Sequence, residues 1–240
     1  MKAFRARSGP FENQLSFSTR EIDAMCVEAL SKAQLLPEAP QAIRIERFIE
    51  KYFDCPVHYE DLGEGAMGCT AFRGNGSIEG VIISNQIDDG HQASERRVRS
   101  TLAHEGGHCL MHPILFMTSS SQNYLDLQNG NRGNLDFERR RILCRDSDVG
   151  AATGKRVYGG RWWEWQANRA IGGFLLPAKL VRQFCAQFAD LSAVTGSPLL
   201  SGPKRVEAER AVADVFDVNP VVARIRLSEL FRANIDQMEF

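Results

Sequence analysis

At 240 residues and 43% apolar content the chain can bury a full core, and its formal net charge of −1 gives no electrostatic case for a nucleic-acid or membrane surface as partner. No apolar run reaches 18 residues, and the basic start (Met1-Lys2-Ala3-Phe4-Arg5-Ala6-Arg7) is not followed by a signal-type hydrophobic segment, so a cytoplasmic protein without a membrane span is expected. The six cysteines (26, 55, 69, 109, 144 and 185) are scattered without a C-x-x-C pair and read as reduced thiols, not a disulfide framework.

Residues 1–17 are polar and mixed and read as a loose arm. Ser18 or Thr19 can cap a helix carrying Ile22, Met25, Cys26, Ala29 and Leu30, which Leu35-Leu36-Pro37-Glu38-Ala39-Pro40 breaks. Ile43, Ile45, Phe48, Ile49 and Phe53 have helical spacing, and that helix ends before Cys55-Pro56. Strand signals follow at Val57–Tyr59, Gly68–Phe72 and Ile78–Ser84, the last two joined by the turn signal Arg73-Gly74-Asn75-Gly76. A small antiparallel sheet is expected, and its edge could pair with an extended peptide.

Ser94 to His112 reads as one helix of about five turns, with Ser94 as N-cap, a solvated charged start (Glu95, Arg96, Arg97, Arg99), an apolar end and a stop at Pro113. Within it stands His104-Glu105-Gly106-Gly107-His108, an H-E-x-x-H motif. Positions i and i+4 share a helix face, so two imidazoles can bind one zinc ion, while Glu105 is near enough to reach its bound water. That chemistry is metal-assisted hydrolysis, with the carboxylate as general base and then acid. The adjacent glycines each cost about 1 kcal/mol relative to Ala in a helix, which is easier to understand if another element packs closely there.

A catalytic zinc takes three protein ligands and leaves a fourth position for water. Glu164 is the leading third ligand: it lies in an apolar helix running from Trp163 to Leu176, where burying a carboxylate calls for a cation. His112 continues the series His104, His108, but successive steps of four drift by about 40° and rise about 6 Å, so packing or hydrogen bonding at the helix end suits it better. Cys69, in a Gly-Cys setting similar to that of peptide deformylases, and Cys144, between Arg141 and Arg145, are further candidates. The deformylase Asp before the second His is replaced here by Gly107. Trp162, Trp163 and Trp165 flank Glu164 and either wall the site or pack the core. Tyr158 and His91 are candidate oxyanion stabilisers.

Thr118–Asn134 is rich in Ser, Asn and Gly and reads as an exposed loop, a surface excursion or a lid. Pro177 opens another helix with Leu180, Val181, Phe184 and Phe188 inward, and Gly196-Ser197-Pro198 and Gly202-Pro203 mark a linker. In the tail, two helical segments around Phe216–Asn219 resemble a helix-turn-helix, with Asn219 as cap, Pro220 at the first helical position, and Arg224 and Arg226 near the recognition position. Lys204–Arg232 carries six basic and five acidic residues, a balance that favours packing or protein docking over DNA binding.

Taken together, His104-Glu105-Gly106-Gly107-His108-Cys109-Leu110-Met111-His112, Glu164-x-x-Ala167-Asn168 and Leu175-Leu176-Pro177 resemble the ImmA/IrrE-type metallo-endopeptidases. The resemblance covers residues 40 to 180. It implies His104, His108 and Glu164 as zinc ligands, Glu105 as catalytic acid/base, and an antirepressor that cleaves a helix-turn-helix repressor. About 55 residues separate His108 from Glu164, which implies an insertion at 118–160, and Arg169-Ala170 stands where an aromatic-Ala pair is usual. The expected fold is α+β: a zincin-like metallopeptidase core over 1–200, with a small antiparallel sheet on the metal-binding helix, and a C-terminal helical, helix-turn-helix-like segment over 203–240. Two readings compete with the zinc endopeptidase. One is a non-proteolytic regulator binding DNA or a repressor on the same fold; the other is a hydrolase of short peptides or small molecules.

Overall fold

A computed structural model describes residues 2–5, 13–117, 135–136, 141–145, 161–191, 198–200 and 202–231. The chain starts with a pair of short antiparallel strands, β1 (Lys2–Arg5) and β2 (Asn13–Ser16). This corrects the loose-arm expectation for part of residues 1–17. Leu15 and Phe17 are buried, so two apolar residues in a polar stretch tie it down. Helix α1 (Thr19–Lys32) follows, with Ser18 as N-cap in a capping box: the Glu21 amide donates to Ser18 Oγ at 3.2 Å, and the Ser18 amide donates to Glu21 Oε2 at 2.8 Å. Helix α2 (Ile45–Phe53) ends at Asp54 in a left-handed conformation, just before Cys55-Pro56 as the proline requires.

Strands β3 (Val57–Glu60), β4 (Ala66–Phe72) and β5 (Ile78–Ser84) occur where their patterns place them. The sheet is nevertheless mixed, not antiparallel. Its order is β3-β5-β4-β7-β6, with β6 (Leu135–Asp136) and β7 (Arg141–Arg145) drawn from the 118–160 stretch. The β4–β5 hairpin closes locally, and β7 occupies the other edge of β4. β3 takes the outer edge of β5 and pairs with it in parallel, Val57 opposite Val81. Insertion and sheet are thus not separate features: Ile142 and Cys144 of β7 are fully buried against the core.

Helix α3 (Gln92–Met111) lies against β4, β5 and β7 on one side and α5 (Trp162–Leu175) on the other, while α2 also packs against it and α1 packs on α5. A short helix α4 (Ile114–Met117) follows Pro113. Ser94 is not the N-cap of α3; His91 holds that position, and Ser94 Oγ instead donates to Asp89 Oδ1 at 2.5 Å, tying down the preceding loop. The charged start of α3 is solvated only in part: Glu95 and Arg97 are exposed. Arg96 is buried and meets Asp214 and Asp217 at 3.1 and 3.0 Å, and Arg99 donates to the backbone carbonyls of Asp217 and Ile43.

Those aspartates belong to the tail. After α6 (Ala178–Cys185) and the two-residue pair β8 (Asp190–Leu191) and β9 (Pro198–Leu199), helices α7 (Gly202–Val215) and α8 (Pro220–Leu230) pack together. Phe216, Val218, Ala223 and Leu227 join the same apolar cluster as Phe48 and Phe174. Asn219 is the N-cap of α8 but its side chain makes no capping bond. Arg226 does not face outward: it is buried, donates to the Leu176 carbonyl at 3.0 Å, and lies 3.0 Å from Asp23. None of the described helices is long and apolar enough to cross a membrane.

Candidate metal centre

The crossing of α3 and α5 builds the site. A Cβ on Gly107 would lie 2.8 Å from Ala170 Cβ and 3.0 Å from Ala167 Cα, so the second glycine of the motif and the two alanines of α5 are the contact that lets the helices approach. That approach sets Glu164 against the histidines. Its Oε2 lies 3.1 Å from His104 Nε2 and 3.6 Å from His108 Nε2, and the two Nε2 atoms are 3.0 Å apart. His104 and His108 have no exposed surface, and Glu164 is 4% exposed. These three residues form a buried group that can hold a metal ion.

The tautomers can be read outward from the backbone. Gln166 Nε2 donates to the Leu15 carbonyl at 2.7 Å, a group that only accepts, so its Oε1 faces His112 Nε2 at 3.0 Å. Burial, with His108 beside it, pushes His112 down to about 3, and its ring is therefore neutral. A neutral His112 donating through Nε2 must accept at Nδ1, so His108 Nδ1 donates across 2.9 Å and His108 Nε2 keeps its lone pair. On the other ring, His104 Nδ1 donates to Asn168 Oδ1 at 3.1 Å, which frees its Nε2 in the same way. Two imidazole lone pairs and a carboxylate oxygen converge on one point, a donor set that repels itself unless a cation or a proton lies among the atoms. Burial works against charge on His104 and Glu164. Even so, Cys144 and Glu164 raise His104 well above the usual histidine range, and His108 and His104 hold Glu164 well below the carboxylate range. Glu164 Oε1 is buried without a hydrogen-bond partner. A divalent ion satisfies all of these atoms at once.

Glu105 lies on the sheet side of α3. Thr70 Oγ1, on β4, donates to its Oε2 at 2.5 Å, and its Oε1 has no partner. A Cβ on Gly68 would come 2.7 Å from Glu105 Oε1, so the bare backbone of β4 makes the room that the carboxylate occupies. Burial raises its pKa to about 8, against the pull of His104 and Thr70.

The structure brings together His104, Glu105, His108 and Glu164, and with them Cys144, whose Sγ lies within 4.8 Å of a ligand atom of His104 and of Glu105. His112 supports His108 instead of joining the donor cluster, as its place on the helix suggested. Cys69 pairs in register with Leu143 and so points to the opposite sheet face from Gly68 and Thr70, away from the site. His91 is exposed at the start of α3, about 20 Å along the helix from His104, too far to stabilise an oxyanion. Tyr158 and the Thr118–Asn134 loop lie outside the described residues. Trp162 meets His112 edge-on with ring centroids 5.7 Å apart, Trp163 is buried, and Trp165 is 39% exposed beneath the Arg169 guanidinium. Sequence reasoning missed Thr70, Asn168 and Gln166 as partners of the site; of these, only Asn168 carried a signal, four residues beyond Glu164 on the same helix face. A scan against protein-family models finds no match to this chain, and neither does a comparison with curated proteins.

Proposed function

We propose that this chain is a zinc-dependent endopeptidase on a zincin-like core, acting on a helix-turn-helix repressor. The observation that carries the reading is the convergence of two lone-pair nitrogens, His104 Nε2 and His108 Nε2, with Glu164 Oε2, beside a second buried carboxylate that is not part of that trio. His104, His108 and Glu164 would hold the ion, which supplies an acidified water and polarises a peptide carbonyl. Asn168, His112 and Gln166 keep the two imidazoles neutral and oriented. Glu105 takes the proton at its unpaired oxygen while Thr70 steadies the other, and then hands it to the leaving amine. A pKa raised toward neutrality suits a group that must do both.

The choice of a repressor as substrate rests on the family resemblance of the paired motifs. Direct DNA binding by the tail is disfavoured because Arg226, one of its two candidate contact residues, is spent inside the protein on Leu176 and Asp23. The test pairs metal content with cleavage. Wild type and Glu105→Gln are expected to bind one zinc each after dialysis, and only the wild type should cut helix-turn-helix repressors, scored by mass spectrometry of new termini. Cleavage by Glu105→Gln at the wild-type rate would sink the mechanism. Short peptides cut while every folded repressor is spared would favour the small-substrate hydrolase.

A further inference from the structure

Side chains at the centre form two ligand groups among the described residues. His104, His108 and Glu164 make the first. His104, Glu105 and Cys144 make a second, in which one donor atom from each residue lies within 4.8 Å of the others. All three members of this second group are fully buried. Strand register puts the thiol there. Cys144 on β7 stands opposite Gly68 on β4, and paired residues of neighbouring strands point to the same sheet face. On that face a Cβ at position 68 would come 2.7 Å from Glu105 Oε1. With no side chain at position 68, the thiol and the carboxylate are neighbours. Thr70 occupies Glu105 Oε2, whereas Oε1 is buried without a hydrogen-bond partner. A buried, unpartnered carboxylate oxygen beside a thiol and an imidazole is a donor set that lacks a cation.

The two groups cannot be filled together. A neutral imidazole has one lone pair, and His104 belongs to both groups. An ion in the first group leaves Glu105 free to act as a base, whereas an ion in the second makes Glu105 a ligand. The groups also differ in chemical kind. Two imidazoles and a carboxylate form the first, while sulfur tilts the second toward thiophilic ions.

We propose that His104, Glu105 and Cys144 form a second metal position, alternative to the first, for a thiophilic divalent ion. An ion there is inhibitory, because it takes His104 and Glu105 out of the hydrolytic set. The ligand group stands on its own geometry; only the inhibition rests on the role of Glu105 proposed above. On binding, the S–H bond breaks, a sulfur–metal bond forms and the thiol proton leaves to solvent, with no change of oxidation state.

Cadmium is the probe, because a cadmium–thiolate bond gives an ultraviolet charge-transfer band that nitrogen and oxygen ligands do not. Metal-stripped full-length protein is expected to develop that band with one equivalent of cadmium. His108→Ala and Glu164→Ala, which break only the first group, should keep the band. Cys144→Ser and Cys144→Ala should lose it and still bind one zinc. Zinc-loaded wild type should gain the band only as zinc is released, followed with a chromogenic zinc indicator. Cadmium bound to the wild type without the band, or no cadmium bound at all, overturns the second position. So does a band that survives in a folded Cys144 variant, or one lost from both folded first-group variants. A band that forms while zinc stays bound overturns the alternation of the two positions. Folded Cys144 variants that bind no zinc, beside a wild type that shows the band, would keep the second position and remove the endopeptidase reading of the first.

Discussion

Glu105 is buried beside Thr70 and Gly68, and its acid form is favoured in the metal-free fold up to about pH 8, against an ordinary value of 4.5. Between those two values the folded chain holds a proton that the unfolded chain has released, so stability falls as pH rises through that window. His104, raised as well, acts in the same direction above its ordinary value of 6.5, and Glu164, lowered, stabilises the fold above its ordinary value of 4.5 and loses that contribution only in acid. In denaturant titrations of metal-stripped protein, Glu105→Gln is therefore expected to match wild type near pH 4.5 and to exceed it by a few kcal/mol at pH 8. Equal slopes in the two proteins would mean that the carboxyl does not carry this penalty. Gln166 is the other residue whose effect can be stated in advance. Gln166→Leu leaves the Leu15 carbonyl and His112 Nε2–H unpaired and frees His108 to turn. Zinc affinity, measured by competition with a chelator, should fall by roughly 10–100-fold.

At the scale of elements, the two glycines of the motif separate cleanly. A methyl group at position 106 would meet Phe174 at 3.5 Å and Ile49 at 3.7 Å, ordinary contact distances, whereas one at 107 would strike α5. Gly106→Ala is expected to be neutral or to stabilise α3 by up to about 1 kcal/mol, through helix propensity. Gly107→Ala forces α3 and α5 apart, costs roughly 1–3 kcal/mol, and moves Glu164 away from the histidines. Thermal melts with and without zinc check both. The zinc-induced rise in melting temperature should persist in Gly106→Ala and shrink in Gly107→Ala.

Over the whole molecule, the tail and the metal helix share a core. Arg96 and Arg99 of α3 hold the α7–α8 turn through Asp214, Asp217 and the Asp217 carbonyl, and Arg226 of α8 reaches back to Leu176 at the end of α5 and to Asp23 on α1. Ending the chain at residue 201 would remove Phe216, Val218 and Leu227 from the apolar cluster and strand two arginines, Arg96 among the buried residues. The truncated protein is expected to lose the cooperative melt and the near-ultraviolet circular dichroism of the full chain. A sharp transition in residues 1–201 would instead show that the tail folds as an independent unit.

What could be read from the sequence were features set by short-range periodicity and by chemistry at fixed spacing. Four-residue steps put His104 over His108 and Glu164 over Asn168, Pro56, Pro113 and Pro177 followed the ends of α2, α3 and α5, and Arg73-Gly74-Asn75-Gly76 turned β4 into β5. Pairing across long separations could not be read. A strand's alternation says which side chains share a face but not which neighbour it takes, so β7 was lost in a five-residue run and the parallel pairing of β3 in a sheet expected to be antiparallel was not foreseen. For the same reason the closeness of Cys144 to His104, the outward relay from His108 to the Leu15 carbonyl, and the burial of Arg96 and Arg226 required the tertiary structure. Each depends on groups brought together from separate parts of the chain, and only packing decides which of them end up within hydrogen-bonding distance.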